Sequence, residues 1–203
     1  IRSLAFTCSR RLTELIYLYV RDQLAKDAPK LADKVKPYRA GYLPEEPRFY
    51  PWMTAIEFLG IYVAGLFGLE PREGRRRAGD LLERVGLADV AQRRIGGFSR
   101  GMRQRLGLAQ ALINQPRVVL LDEPVSALDP AGRRDMLLLI ETLKAKTTVL
   151  MSTHILDDVE RICDTIGIID HGRIVAMDRR QVLLDRYALP LVEIEVDGPA
   201  ERV

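Results

Sequence analysis

Val118 to Asp129 reads V-V-L-L-D-E-P-V-S-A-L-D, and this stretch decides the fold class. Large apolar residues fill its first positions, a run too short for a helix and unbroken by any polar side chain. The pattern predicts a strand buried on both faces, as in the middle of a parallel sheet. Two carboxylates, Asp122 and Glu123, end the run, and Pro124 follows at once. Proline cannot donate to a strand ladder, so the acids fall at the carboxyl end of the strand. In open α/β sheets that edge is where ligands bind. An aspartate there can hold a magnesium ion through water, and the next carboxylate can polarise an attacking water. The same letters also suit an apolar strand running into a solvated acidic turn.

Three neighbouring stretches bear on that choice. Upstream stand Ala40-Gly41-Tyr42-Leu43-Pro44-Glu45-Glu46-Pro47 and Phe98-Ser99-Arg100-Gly101-Met102-Arg103-Gln104-Arg105-Leu106; downstream stands Ser152-Thr153-His154. In this order and spacing they resemble the motifs of the nucleotide-binding subunit of ABC transporters, over roughly Ala40 to Met177. Leu120 to Pro124 is similar to that family's Walker B strand with its catalytic glutamate, and Ser126 to Asp129 to its D-loop. The segment around Ser99 is similar to the signature motif, His154 to the switch histidine, and Ala40 to Pro47 to the Q-loop. Glu45 stands where most members have glutamine, and Ser99-Arg100-Gly101-Met102 replaces the usual serine-glycine-glycine-glutamine. Both variants resemble exporters of the drug, antibiotic or sodium type.

The resemblance implies an α/β, P-loop NTPase-like ABC ATPase core, with a mostly parallel sheet and a helical subdomain at about 52–115. Its substrate would be ATP with magnesium. Asp122, and Glu45 through water, would hold the metal; Glu123 would activate water; His154 would sense the γ-phosphate. Ser99, Arg100, Gly101 and Met102 would serve ATP held by a second nucleotide-binding subunit, and Asp129 would link the two sites. Polytopic membrane permease subunits would do the transporting, with the chain peripheral on the cytoplasmic face and no nucleic acid as partner.

One part of the family pattern is missing. A G-x-x-x-x-G-K-[ST] loop cradles phosphates with glycine amides and a lysine. No glycine precedes residue 41, and no glycine anywhere in the 203 residues is followed by lysine. Residues 1–39 are therefore expected to be an atypical, truncated or frame-disrupted segment; Leu12, Leu15, Ile16 and Tyr19 fall at helical spacing, and one or two helices are expected there. The ATPase domain is expected over 40–187, with 188–203 opening a C-terminal extension. A rival reading follows: a P-loop-less, non-hydrolysing regulatory or remnant chain that docks to a transporter complex. A soluble ATPase acting on ribosomes or DNA fits less well, since neither a second cassette nor a long coiled insertion is visible.

Composition sets limits without choosing. A hydrophobic fraction of 47% supports a full core, and a net charge of +3 implies no bulk attraction to polyanions. Cys8 and Cys163 have no metal or redox spacing and read as free thiols in a reducing compartment. Leu15 to Val20 falls far short of the ~20 residues a spanning helix needs.

Further elements follow from local pattern. Thr54 with Glu57 makes a capping box before an almost wholly apolar helix from Ala55 to Leu69, and in this region Trp52, Phe58 and Tyr62 fit either subdomain core or a docking groove. Helices are expected at Arg75 to Val85, from Ser99 to Asn114, at Ala131 to Lys146, at Ile155 to Cys163 and at Arg179 to Arg186. Strands are expected at Thr148 to Ser152, Thr165 to Ile169, Arg173 to Met177 and Leu191 to Val196, with a tight turn at Asp170-His171-Gly172.

Overall fold

The structure, a computed structural model, describes residues 3–7, 40–126 and 128–187. Six strands form one sheet in the order β2-β3-β4-β1-β5-β6. They are β1 (Ser3–Thr7), β2 (Ala40–Leu43), β3 (Val118–Asp122), β4 (Thr148–Ser152), β5 (Thr165–Asp170) and β6 (Arg173–Arg179). All neighbours run parallel except β6, which folds back on β5. His171 and Gly172 make that turn with φ of 45° and 78°, the paired positive values a two-residue hairpin requires.

Residues 3–7 correct the expectation of helix at the start of the chain. They form β1, seated between β4 and β5 in the middle of the sheet. Ser-Leu-Ala-Phe-Thr has no helical period of its own, and two parallel neighbours satisfy its backbone. The helices expected further along, within residues 8–39, and the strand expected at Leu191 to Val196 lie outside the described residues.

Strand β3 is less evenly buried than its composition predicts. Val119 and Leu121 are buried, while Val118 and Leu120 are half-buried, so one face is covered only in part among the described residues. In β4 the residues from Val149 to Ser152 are all buried.

Three longer helices, with two short 3-10 turns at Ala88–Val90 and Ile95–Gly97, separate β2 from β3. The first, α1, runs from Ala55 to Leu66 and is π-helical over Phe58–Val63. Its capping box forms as the sequence predicts: Thr54 Oγ1 accepts from the Glu57 amide at 3.3 Å, and the Glu57 carboxylate accepts from the Thr54 amide at 3.0 Å. Hydrogen bonds donated to the Glu57 carboxylate by the Thr54 amide and then by its hydroxyl hold that carboxyl below its usual range. Helix α2 spans Pro71–Arg84 and begins earlier than expected because Pro71 is pre-set for a first helical turn. The two cross at glycines: a Cβ on Gly74 would lie 2.5 Å from the Gly60 carbonyl oxygen.

This crossing resolves the greasy helix. Phe58, Leu59, Val63 and Ala64 face the core, whereas Ile61, Tyr62 and Leu66 are exposed. Phe58 is thus a core residue, while Trp52, 65% exposed, and Tyr62 lie on the surface. Tyr50 joins them, its ring centroid 5.0 Å from both Trp52 and Tyr62.

Helix α3 (Arg100–Leu112) packs directly on β2 through small residues. A Cβ on Gly41 would fall 2.1 Å from the Ala111 carbonyl oxygen, and one on Gly107 would fall 2.6 Å from Leu43 Cδ1. After β3 come α4 (Pro130–Leu143), α5 (Leu156–Ile162) and α6 (Arg180–Tyr187). A cleft of about 430 Å³ opens at the amino ends of β3 and β4, where α2, α3 and α4 all finish. Its Arg76, Arg77, Arg84, Arg117 and Lys146 match the negative ends of those helices, and Arg77 donates to the Ile113 carbonyl.

Candidate active site

The opposite edge holds the acids. Asp122 and Ser152, the last residues of β3 and β4, pair in register, and Ser152 also pairs with Phe6 of β1. Three strands therefore end together. The strand order changes direction between β4 and β1, since β1 leads on to β2 at one margin and β4 crosses over to β5 on the other side. Ligands of open α/β sheets sit at such a switch point, outside the carboxyl ends.

Glu123, the first residue past β3, has φ of 45°, a left-handed backbone that a non-glycine residue adopts at a cost of about 1–3 kcal/mol. Its amide donates to the Ser152 carbonyl at 3.1 Å and to Ser152 Oγ at 3.3 Å. The resulting bend sends the carboxylate to His154, whose Nδ1 lies 2.8 Å from Glu123 Oε1. An ionised carboxylate only accepts, so Nδ1 is the donor in this contact. Glu123 Oε2 is buried with no hydrogen-bond partner among the described residues. Asp122 Oδ1 accepts from Ser152 Oγ at 2.6 Å.

The other expected site residues lie nearby in two groups. Glu45 is exposed just past β2, whose Leu43 pairs with Leu121, so it leaves the sheet one strand over from Glu123. Ser99 caps α3 by accepting from the Met102 amide at 3.2 Å, and Arg100 is exposed at the first turn. A Cβ on Gly101 would come 3.1 Å from Leu128 Cδ2, which puts the start of α3 against the turn after Glu123. Asp129 in that turn caps α4, accepting from the Gly132 amide at 3.3 Å. Among the described residues none of Ser99, Arg100, Gly101 or Met102 hydrogen-bonds to Asp122, Glu123 or His154. The site divides into an acid–histidine cluster on the sheet and a separate helix start beside it.

Two links escaped the sequence reading. Ser152 touches both acids, a fact that depends on strand register. Arg133 of α4 donates from Nε to Asp158 Oδ1 of α5 at 2.9 Å and places Nη2 2.7 Å from the same oxygen as an ion pair, tying the helix capped by Asp129 to the helix that follows His154. Only the DPxxR and HxxxD spacings hint at it.

No three His, Cys, Asp or Glu side chains converge as a metal site among the described residues. The oxygens present fit magnesium all the same, because that ion is commonly held by one or two carboxylates with phosphates and waters completing its shell.

Sheet order, helix placement and this cluster define an ABC-type ATPase domain, and the chain belongs to the ABC transporter family. The family model described as ABC transporter matches residues 21–126, beginning well before Ala40. An ATP-binding protein of Bacillus subtilis, YxlF, is 52% identical over 134 residues, covering 66% of this chain and 45% of its own. The linearmycin resistance ATP-binding protein LnrL of the same organism is 34% identical over 177 residues, with 86% and 55% covered. The bacitracin transport ATP-binding protein BcrA of Bacillus licheniformis is 39% identical over 139 residues, with 68% and 44% covered. The chain spans about half the length of these relatives. Among solved structures, an ATP-binding subunit of an ABC transporter superposes with a TM-score of 0.70 at 26% identity, covering 91% of this chain and 81% of the other. A dimeric ATP-binding cassette in a post-hydrolysis state, bound to ADP and Pi, shares the fold at a TM-score of 0.69 and 20% identity, covering 88% and 84%.

Proposed function

We propose that the chain acts as an ATP-binding subunit that couples ATP binding and hydrolysis to transport through separate membrane subunits. The observation that carries this reading is the Glu123–His154 pair beside Asp122 at the carboxyl edge of the sheet. Magnesium with ATP, when bound, supplies charge neutralisation along the phosphates. Asp122, whose Oδ1 is held by Ser152, would hold the metal through water. Glu123 Oε2, buried and without a hydrogen-bond partner among the described residues, would accept a proton of the attacking water. His154 fixes the other oxygen of that carboxylate, and it reaches a phosphate oxygen as a donor only with both nitrogens protonated or through a water. Glu45 is a candidate for a second, water-mediated contact to the metal.

Ser99, Arg100, Gly101 and Met102 are assigned to ATP held by a second nucleotide-binding subunit, with Asp129 linking the sites. The helices within 52–115 are assigned as the helical subdomain, and its exposed Tyr50, Trp52 and Tyr62 suit docking of a membrane subunit on the cytoplasmic side. Resistance and bacitracin transport in the names of relatives support export as the direction. No helix among the described residues is long and apolar enough to cross a membrane, consistent with separate spanning chains.

Magnesium-ATP titration of the 203-residue chain by calorimetry, followed by turnover of E123Q, tests the reading. Binding that survives in E123Q while turnover falls by about 10²-fold or more is expected for a lost general base. Unchanged turnover removes Glu123 from that role. Absence of nucleotide binding favours the non-hydrolysing regulatory chain.

A further inference from the structure

We infer that Ser152 is a positioning residue that sets both carboxylates of the cluster at once. A parallel ladder puts the side chains of paired residues on the same face, and Asp122 and Ser152 are such a pair. Ser152 is 5% exposed, so its hydroxyl has protein rather than water for partners. A carboxylate can only accept, hence the single hydroxyl proton goes to Asp122 Oδ1 at 2.6 Å. The contact of the same oxygen with the Leu121 carbonyl, at 3.4 Å, is secondary. A lone pair of Oγ then accepts from the Glu123 amide at 3.3 Å, beside the Ser152 carbonyl at 3.1 Å.

These contacts have different consequences for the two acids. Asp122 loses one oxygen to Ser152, which fixes the carboxylate plane and leaves a defined oxygen outward. Glu123 is held through its backbone: the left-handed turn that aims its side chain at His154 is pinned by the paired acceptors of Ser152. Replacing the hydroxyl therefore acts on the Glu123–His154 contact without changing either of those side chains. The catalytic meaning of the two carboxylates rests on the ATPase reading above; the positioning rests on geometry alone.

The test compares the unmodified chain with S152A and S152C. Cysteine keeps the volume but replaces a strong donor with a weak one. Amide hydrogen exchange at Glu123 is expected to quicken about fivefold in both variants, the equivalent of one hydrogen bond. The His154 imidazole ¹⁵N resonances should move toward those of a freely exposed ring, while amides of Val149 to Met151 keep their protection. Unchanged Glu123 and His154 signals in both variants overturn the proposal. So does a cysteine variant that matches the unmodified chain while alanine differs, because packing is then the cause. Uniform loss of protection along β4 likewise overturns it. Turnover of magnesium-ATP by the unmodified chain tests the ATPase reading separately; where it is present, S152A should lower kcat by about 10-fold or more with KM little changed.

Discussion

Cys163 sits at the end of α5, 1% exposed, and burial pushes its thiol up to about 12. The thiolate is the nucleophile, so a neutral buried thiol is inert. Iodoacetamide at pH 8 should leave the Cys163 peptide unmodified in the folded protein and alkylate it fully after denaturation, as read by mass spectrometry. Rapid labelling under native conditions would contradict this burial. The acids are a different kind of residue. Asp122 and Glu123 were legible in sequence because an apolar run that stops at a proline has to place them at a strand end. The left-handed turn at Glu123 and the grip of Ser152 were not, since both depend on which residue of a distant strand lies opposite.

Between elements, close packing is decided by missing side chains. Gly41 lets α3 lie on β2, and alanine there would drive a methyl into the Ala111 carbonyl, which is backbone and cannot swing aside. G41A should lower unfolding stability by about 1–3 kcal/mol or more in urea; a change within about 0.5 kcal/mol would mean that α3 sits further off. Along α2, hydrogen bonds from Arg76 and then Arg77 lower the Glu73 carboxyl to about 2. A depressed folded value means that these pairs contribute fully above the unfolded value of about 4.3 and are lost as pH falls toward 2. The stability gap between the unmodified chain and E73Q should be flat above that range and close between it and pH 2; a gap that persists at pH 2 would rule the pairs out. Helix ends were readable where chemistry marks them, as at Thr54, which caps α1 through its side chain. The π-helical turn in α1 was not readable, because the crossing of Gly60 and Gly74 is a tertiary fact.

On the scale of the whole molecule, the family pattern divides nucleotide contacts between two chains. Paired with a subunit that carries a glycine-lysine P-loop, this chain should leave one working site at most, the one joining the partner's P-loop to Ser99 and Gly101 here. Nucleotide trapping should then give a stoichiometry near one per dimer, and two equal hydrolytic sites would overturn the assignment. The parallel sheet was legible from β3, β4 and β5, whose apolar runs end in turn residues. The place of β1 was not, because Ser3 to Thr7 carries no motif and gains its position from partners far along the chain. That position has a consequence for biosynthesis. Ser3 pairs with Val149 and Leu4 with Thr165, so β1 leaves the ribosome long before either neighbour exists. The sheet cannot close around its middle until β4 and β5 have been made, a high contact order that slows folding and leaves an unpaired strand exposed meanwhile. A nascent chain halted before Thr148 would hold β2 and β3 paired, with β1 open to chaperones or to strands of other chains.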